Sequence, residues 1–289
     1  MKRILIPTDF SEAANNALQI SIAIAKQVGA EITLLHSLNS AQQYVDISLS
    51  TAGDITMPGM QPEVVIAAIE QEKQRAIQKM EDLVTLVKSE NVKVNSEMVQ
   101  PALEYVINDF VNENKIDFII MGTHGATGIR EAFIGSVAQK IVRICRIPVL
   151  TVNNSCHNFN ISKLVCCSDF IEKRILEQLP RIEKFADMFN ASLALVYINT
   201  PTYFEETKTV TKRMEEVVKK YGLEGTTSHI YNAFDIDEGV IDFADAHGAD
   251  VIAMITHGYR GMKKLFSDNI TESVVNHSSI PVLTLHLPK

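Results

Sequence analysis

The stretch MGTHGATGIREAFIGSVAQKIV, residues 121–142, holds four of the chain's 13 glycines, Gly122, Gly125, Gly128 and Gly135. MITHGYRGMKKLFSDNITESVV, residues 254–275, repeats it at an offset of 133, with Gly122 become Ile255 and Gly135 become Asp268. The repeat extends outward. KRILIPTDFSE (2–12) matches SKLVCCSDFIE (162–172), and RIPVLTV (146–152) matches SIPVLTL (279–285). Self-similarity at this spacing marks a tandem duplication of one domain-sized unit. The expected units are 1–152 and 161–289, joined by a polar linker at 153–160, NNSCHNFN. The first unit is longer because of an insert between positions 40 and 62 that contains Met57 and Met60.

Each half alternates short apolar, β-branched runs with segments of helical period. After RILIP, residues 11–28 place Ala14, Ala17, Leu18, Ile22, Ala25 and Val28 at three- and four-residue steps, and Gly29 stands where a helix ends. EITLLHSL follows as a strand. Pro62 then opens a long helix whose stripe is Val65, Ile69, Ala76, Met80, Leu83 and Val87. Strand 92–100, helix 102–113, strand DFIIMGT, helix 135–145 and strand IPVLTV complete a βαβαβαβαβ unit. The second half repeats it with strands near 163–168, 192–199, 226–232, 249–256 and 280–287, and with Pro180 kinking or delaying its first helix. Such alternation predicts an α/β fold, two tandem doubly wound domains, each a parallel sheet with helices on both faces.

Composition narrows the function classes. The 289 residues are 46% hydrophobic, enough for ordinary cores, and 27 basic against 35 acidic residues give a net charge of -8 without a block of like charge. No electrostatic footprint for nucleic acid or an anionic membrane is present. Four cysteines, Cys145, Cys156, Cys166 and Cys167, fit neither a disulfide framework nor a paired zinc motif. Cys166 and Cys167 sit in an apolar run and read as buried thiols. Cys156 beside His157 lacks a second pair at zinc spacing. Without a signal-like h-region or a membrane-length apolar run, the expected compartment is the cytoplasm.

In a doubly wound sheet a ligand sits at the carboxyl ends of the strands. DFIIMGTHG leaves its strand into the glycine stretch, which enters a helix at Gly135-Ser136, where free backbone N–H groups and a hydroxyl suit an anion such as phosphate. No glycine precedes a lysine, so a Walker loop is absent, and GxGxxG is absent as well. Isoleucine and aspartate in the second copy then read as the loss of a ligand, with Gly122 serving close backbone approach to it.

GxxGxxxxxxxxxGS at Gly122, Gly125, Gly135 and Ser136, with PTDFS after the first strand and IPVLTV at the end of the half, resembles the nucleotide-binding branch of the universal stress protein family over nearly the whole chain. The resemblance implies five-stranded sheets ordered 3-2-1-4-5, ATP across the ends of strands one and four, with or without magnesium, and dimer-like pairing of the two last strands. Carried over by position, the nucleotide contacts are Pro7, Thr8, Asp9, Ser37, Met121, Gly122, Gly125, Gly135, Ser136 and Val137. No catalytic or metal-ligating residue is assigned. Ala126 stands where relatives often carry an arginine, with Arg130 as a substitute cation. His124 invites a role as base, but His257 holds the same place in the half that lost the motif, which favours a turn residue. Asp169 still matches Asp9.

The resulting expectation is an adenine-nucleotide-binding regulatory protein of the stress-response type. It holds ATP in the N-terminal unit only and acts on an unknown protein partner, as an internal pseudo-dimer open to further homodimerisation. A slow ATPase is the enzymatic alternative, and a nucleotide-free scaffold acting through protein contacts is the third.

Overall fold

The computed structural model describes residues 1–38, 62–123, 136–153, 160–256 and 268–287. Met57, Met60, His124, Ala126, Arg130, Cys156, His157, His257 and most of the expected linker lie outside them. In the first half β1 (Arg3–Pro7), α1 (Glu12–Val28), β2 (Glu31–Ser37), α2 (Pro62–Ser89), β3 (Val94–Val99), α3 (Leu103–Glu113), β4 (Phe118–Gly122), α4 (Ser136–Ile144) and β5 (Val149–Val152) follow one another. The second half runs β6 (Lys163–Cys167), α5 (Lys173–Leu176), α6 (Leu179–Asp187), β7 (Ser192–Asn199), a 3-10 turn (Pro201–Tyr203), α7 (Thr207–Tyr221), β8 (Thr227–Asn232), α8 (Ile236–Ala246), β9 (Val251–Thr256), α9 (Asp268–His277) and β10 (Val282–His286). Element ends fall within two residues of those read from the sequence. None of the described helices is long and apolar enough to cross a membrane.

The strands form one ten-stranded sheet in the order β3-β2-β1-β4-β5-β10-β9-β6-β7-β8. Each half is parallel and follows the 3-2-1-4-5 order, and the halves join through an antiparallel pair, Leu283 opposite Leu150. Two apolar layers cover the sheet. Residues of one parity, such as Ile4, Ile6, Phe118 and Ile120, face α1 and α2, while Leu5, Ile119 and Met121 face α3 and α4. The first layer runs across the seam: Phe118 of β4 stacks on Phe185 of α6, centroids 5.4 Å apart. Around the same seam Gln139 Nε2 donates to Glu272 Oε2 at 2.9 Å, and the Arg143 guanidinium pairs with the same carboxylate.

Local chemistry explains the first half's opening helix. Ser11 accepts the Ala14 N–H at 3.2 Å and caps α1, and Gly29 ends it at φ 67°, a left-handed conformation that favours glycine. The second half departs here, as Pro180 foreshadows. Its counterpart is split into the single turn α5 and the helix α6, with Pro180 in the first turn of α6. Cys166 and Cys167 are buried, and burial pushes the Cys166 thiol up to about 12.

Candidate functional site

The chain leaves β1 through a tightly bonded turn. The Thr8 N–H reaches the Leu35 carbonyl at 2.9 Å, and the Thr8 carbonyl lies 2.8 Å from His36 Nδ1. The Thr8 hydroxyl accepts the Phe10 N–H at 3.0 Å, and Asp9 Oδ1 accepts the Ser11 N–H at 2.9 Å. These bonds between side chain and nearby backbone hold Phe10 at φ 63° and fix where Asp9 sits, at the mouth of the sheet.

A cavity of about 420 Å³ opens beside this turn, over the carboxyl ends of β1, β2 and β4. Of the residues expected from sequence, Pro7, Thr8, Asp9, Ser37, Met121, Gly122 and Val137 line it. Ser136 opens α4. Gly125 and Gly135 lie outside the described residues. Sequence reading missed Ser11 and Ala14 from α1, Ala102 to Glu104 at the start of α3, and Lys140 of α4, all of which also line the cavity. Lys140 Nζ and Glu104 Oε1 form an ion pair at 2.8 Å. Burial pushes the Glu104 carboxyl up, but the hydrogen bond and charge of Lys140, helped by Glu104's own backbone, leave it below the usual carboxylate value. A second cleft, about 470 Å³, shares Asp9, His36 and Ser37 with the first. Above it Lys79 of α2 lies 5.3 Å from the centroid of the Phe10 ring, which packs on His36 at 4.4 Å.

Gly122 lines the cavity, but its missing side chain serves a different neighbour from the one inferred. A Cβ at this position would fall 2.2 Å from the Ala13 carbonyl oxygen and 2.8 Å from the Ala14 nitrogen. The glycine is therefore required by the close approach of α1 to β4, which brings the Ser11 cap and Ala14 to the cavity wall. Strand parity explains the correction, because Phe118, Ile120 and Gly122 all point toward the α1 face. Ile255 takes the equivalent place in β9, is 2% exposed, and fills a face from which the continuous first helix is missing.

The second half buries the counterpart of Asp9. Its turn after β6 repeats the first: the Ser168 hydroxyl accepts the Phe170 N–H at 3.1 Å, Asp169 Oδ1 accepts the Ile171 N–H at 3.0 Å, and Phe170 has φ 56°. Asp169, however, is 8% exposed. RMEEVV in α7 aligns with KMEDLV in α2, which places Arg213 at the position of Lys79. Arg213 donates to both carboxylate oxygens of Glu205, at 2.8 and 2.9 Å, and its guanidinium stands 5.5 Å from the Tyr197 ring centroid. The Tyr197 hydroxyl lies 3.1 Å from Glu205 Oε1. Burial, then the Glu205 carboxylate, pushes the Tyr197 phenol up to about 12, and the Arg213 hydrogen bond holds Glu205 below the usual carboxylate value. The side chain of Asp169 is thus shielded among groups of its own chain, with the Arg213 charge close by.

Comparison with known proteins agrees with this architecture. The chain is similar to the universal stress protein Slr1230 of Synechocystis, 24% identical with 98% of this chain and 99% of that one covered. It is also similar to the universal stress protein MJ0531 of Methanocaldococcus jannaschii, 29% identical over 52% of this chain and 81% of that one. The crystal structure of a universal stress protein from Archaeoglobus fulgidus shares the fold, with a TM-score of 0.70 and 18% identity over 99% of this chain and 98% of that one. The family model described as "Universal stress protein family" matches residues 1–153 and 177–286, and the chain belongs to that family.

Proposed function

We propose that the chain is an adenine-nucleotide-binding regulatory protein of the cytoplasm, holding ATP in the unit 1–152 and none in the unit 161–289. The observation that carries this reading is the cavity at the carboxyl ends of β1 and β4, where Asp9, Ser37, Met121, Gly122 and Val137 converge beside the first turn of α4. Its volume suits a nucleoside-sized ligand, and a helix N-terminus with Lys140 one turn along suits the ligand's phosphates. The adenosine would contact Pro7, Thr8, Asp9 and the backbone of Ser37. The phosphates, with or without magnesium, would lie toward Gly125, Gly135 and Ser136. Occupancy acts by favouring one conformation over another and so changes what a protein partner meets. The seam between β5 and β10 favours a second reading, a scaffold that works through protein contacts without nucleotide.

Purification without added nucleotide, followed by denaturation and mass spectrometry of what is released, tests the proposal. About one adenine nucleotide per chain is expected. No release, together with no uptake of added ATP, selects the scaffold, and steady-state phosphate production would identify a slow ATPase.

A further inference from the structure

Lys140 is the fifth of the nine residues of α4 and lines the cavity. It lies four residues after Ser136, which opens α4. Side chains on a helix lean toward its N-terminus, so the Lys140 stem covers the turn before it, the end with unsatisfied N–H groups. Glu104, its ion-pair partner, sits in the first turn of α3, where an acid is favoured, and its side chain is 15% exposed against 48% for Lys140. Lys140 is thus the more exposed partner of the two.

The second half has lost the cation and kept the acid. At the same offset Asp237 of α8 replaces Glu104 and Ser273 of α9 replaces Lys140, with the Ser273 hydroxyl bonded to the Asp237 carboxylate. A pair that merely stapled two helices together would be served equally well in both halves. The cation occurs in the half whose cavity Glu104 and Lys140 both line, and a neutral hydroxyl stands in its place in the other.

We infer that Lys140 is the phosphate-charge residue of the first-half cavity, paired with Glu104 when the cavity is empty and transferred to the polyphosphate of a bound nucleotide. This inference rests on the nucleotide reading above. It supplies the positive charge left missing by Ala126. A lysine ammonium is a compact point charge with three donors, well suited to exchange a carboxylate oxygen for a phosphate oxygen. Glu104 is then a competitor as well as a holder, so the site discriminates by the number of phosphate charges brought to it. Triphosphate should displace Glu104 more readily than monophosphate, and adenosine should leave the pair intact.

The test is isothermal titration of the full chain with ATP, AMP and adenosine, alongside Lys140→Gln, Lys140→Arg and Glu104→Gln, each checked by thermal melting. Lys140→Gln is expected to weaken ATP about tenfold while changing adenosine less than about twofold. Lys140→Arg should recover most of the ATP affinity, and Glu104→Gln should tighten ATP by about threefold. A merely structural pair would shift melting and leave the ATP-to-adenosine ratio unmoved, and that result overturns the inference while the nucleotide reading stands. Weaker ATP binding in Glu104→Gln also counts against it. A wild-type chain that takes up neither ATP nor adenosine removes the nucleotide reading and this inference with it.

Discussion

Gly122 faces the backbone of Ala13 so closely that an added Cβ would lie 2.2 Å from its carbonyl oxygen. Backbone cannot swing aside as a flexible side chain can, so α1 would have to retreat from β4. Gly122→Ala is expected to destabilise the chain by about 2–4 kcal/mol, seen as a lower urea midpoint. Because α1 carries Ser11 and Ala14 to the cavity wall, ligand binding should fall together with stability in that variant. Strong folding with selective loss of nucleotide would contradict the packing role and restore the ligand-clearance reading.

The Glu205 and Arg213 pair should behave as one unit. Removing either member strands the other, partly buried, whereas removing both leaves no orphan. Glu205→Ala and Arg213→Ala should each cost about 2–3 kcal/mol, and the double variant clearly less than their sum. A double-mutant cycle by urea denaturation measures the coupling, and simple additivity would show that the pair does not cooperate.

The same cluster sets a pH dependence at both ends. Tyr197 ionises at about 12 in the folded chain against an ordinary 10, so its contribution to stability is complete below pH 10 and fades as the pH climbs through about 12. Glu205 titrates below its ordinary 4.5, so its contribution is present above that value and is lost as the pH falls through the lower folded one. Ultraviolet titration of phenolate should show a late-ionising tyrosine that disappears in Tyr197→Phe. Ionisation of every tyrosine near pH 10 would contradict the burial of its hydroxyl against Glu205.

Asp9 and Asp169 should part company despite their matching turns. Asp9 is exposed, so Asp9→Ala should lower nucleotide affinity at least tenfold while shifting stability by no more than about 1 kcal/mol. Asp169 is buried near Arg213, so Asp169→Ala should cost about 1–3 kcal/mol and leave nucleotide stoichiometry at one per chain. Calorimetric titration and thermal melting of both variants separate the two roles, and equal losses of affinity would show that the second half also binds.

Much of this arrangement is legible in the sequence because it depends on local pattern. The repeats, the strand runs, Gly29 as a helix stop and Pro180 as a break all follow from periodicity and backbone preference. Strand order within each half came from the family resemblance, since periodicity is blind to which strands are neighbours. What the sequence hid was tertiary. Glu104 and Lys140 meet across two helices 36 positions apart, and nothing local marks the encounter. The neighbour of Gly122 could have been anticipated, because counting parity from Phe118 directs it toward α1. The match of KMEDLV with RMEEVV was also available, and would have placed Arg213 opposite the buried Asp169.

The antiparallel join of Leu150 with Leu283 has a thermodynamic consequence of its own. Two separate copies pairing through the same strands would come apart on dilution, and their melting point would depend on how much protein was present. Covalent linkage turns that encounter into an intramolecular one at a fixed, high local concentration. The second half is then a permanent companion whose association demands nothing of its ligand. Freed from serving as an identical copy, it can bury Asp169 close to the Tyr197, Glu205 and Arg213 cluster while still lending the first half a finished sheet edge.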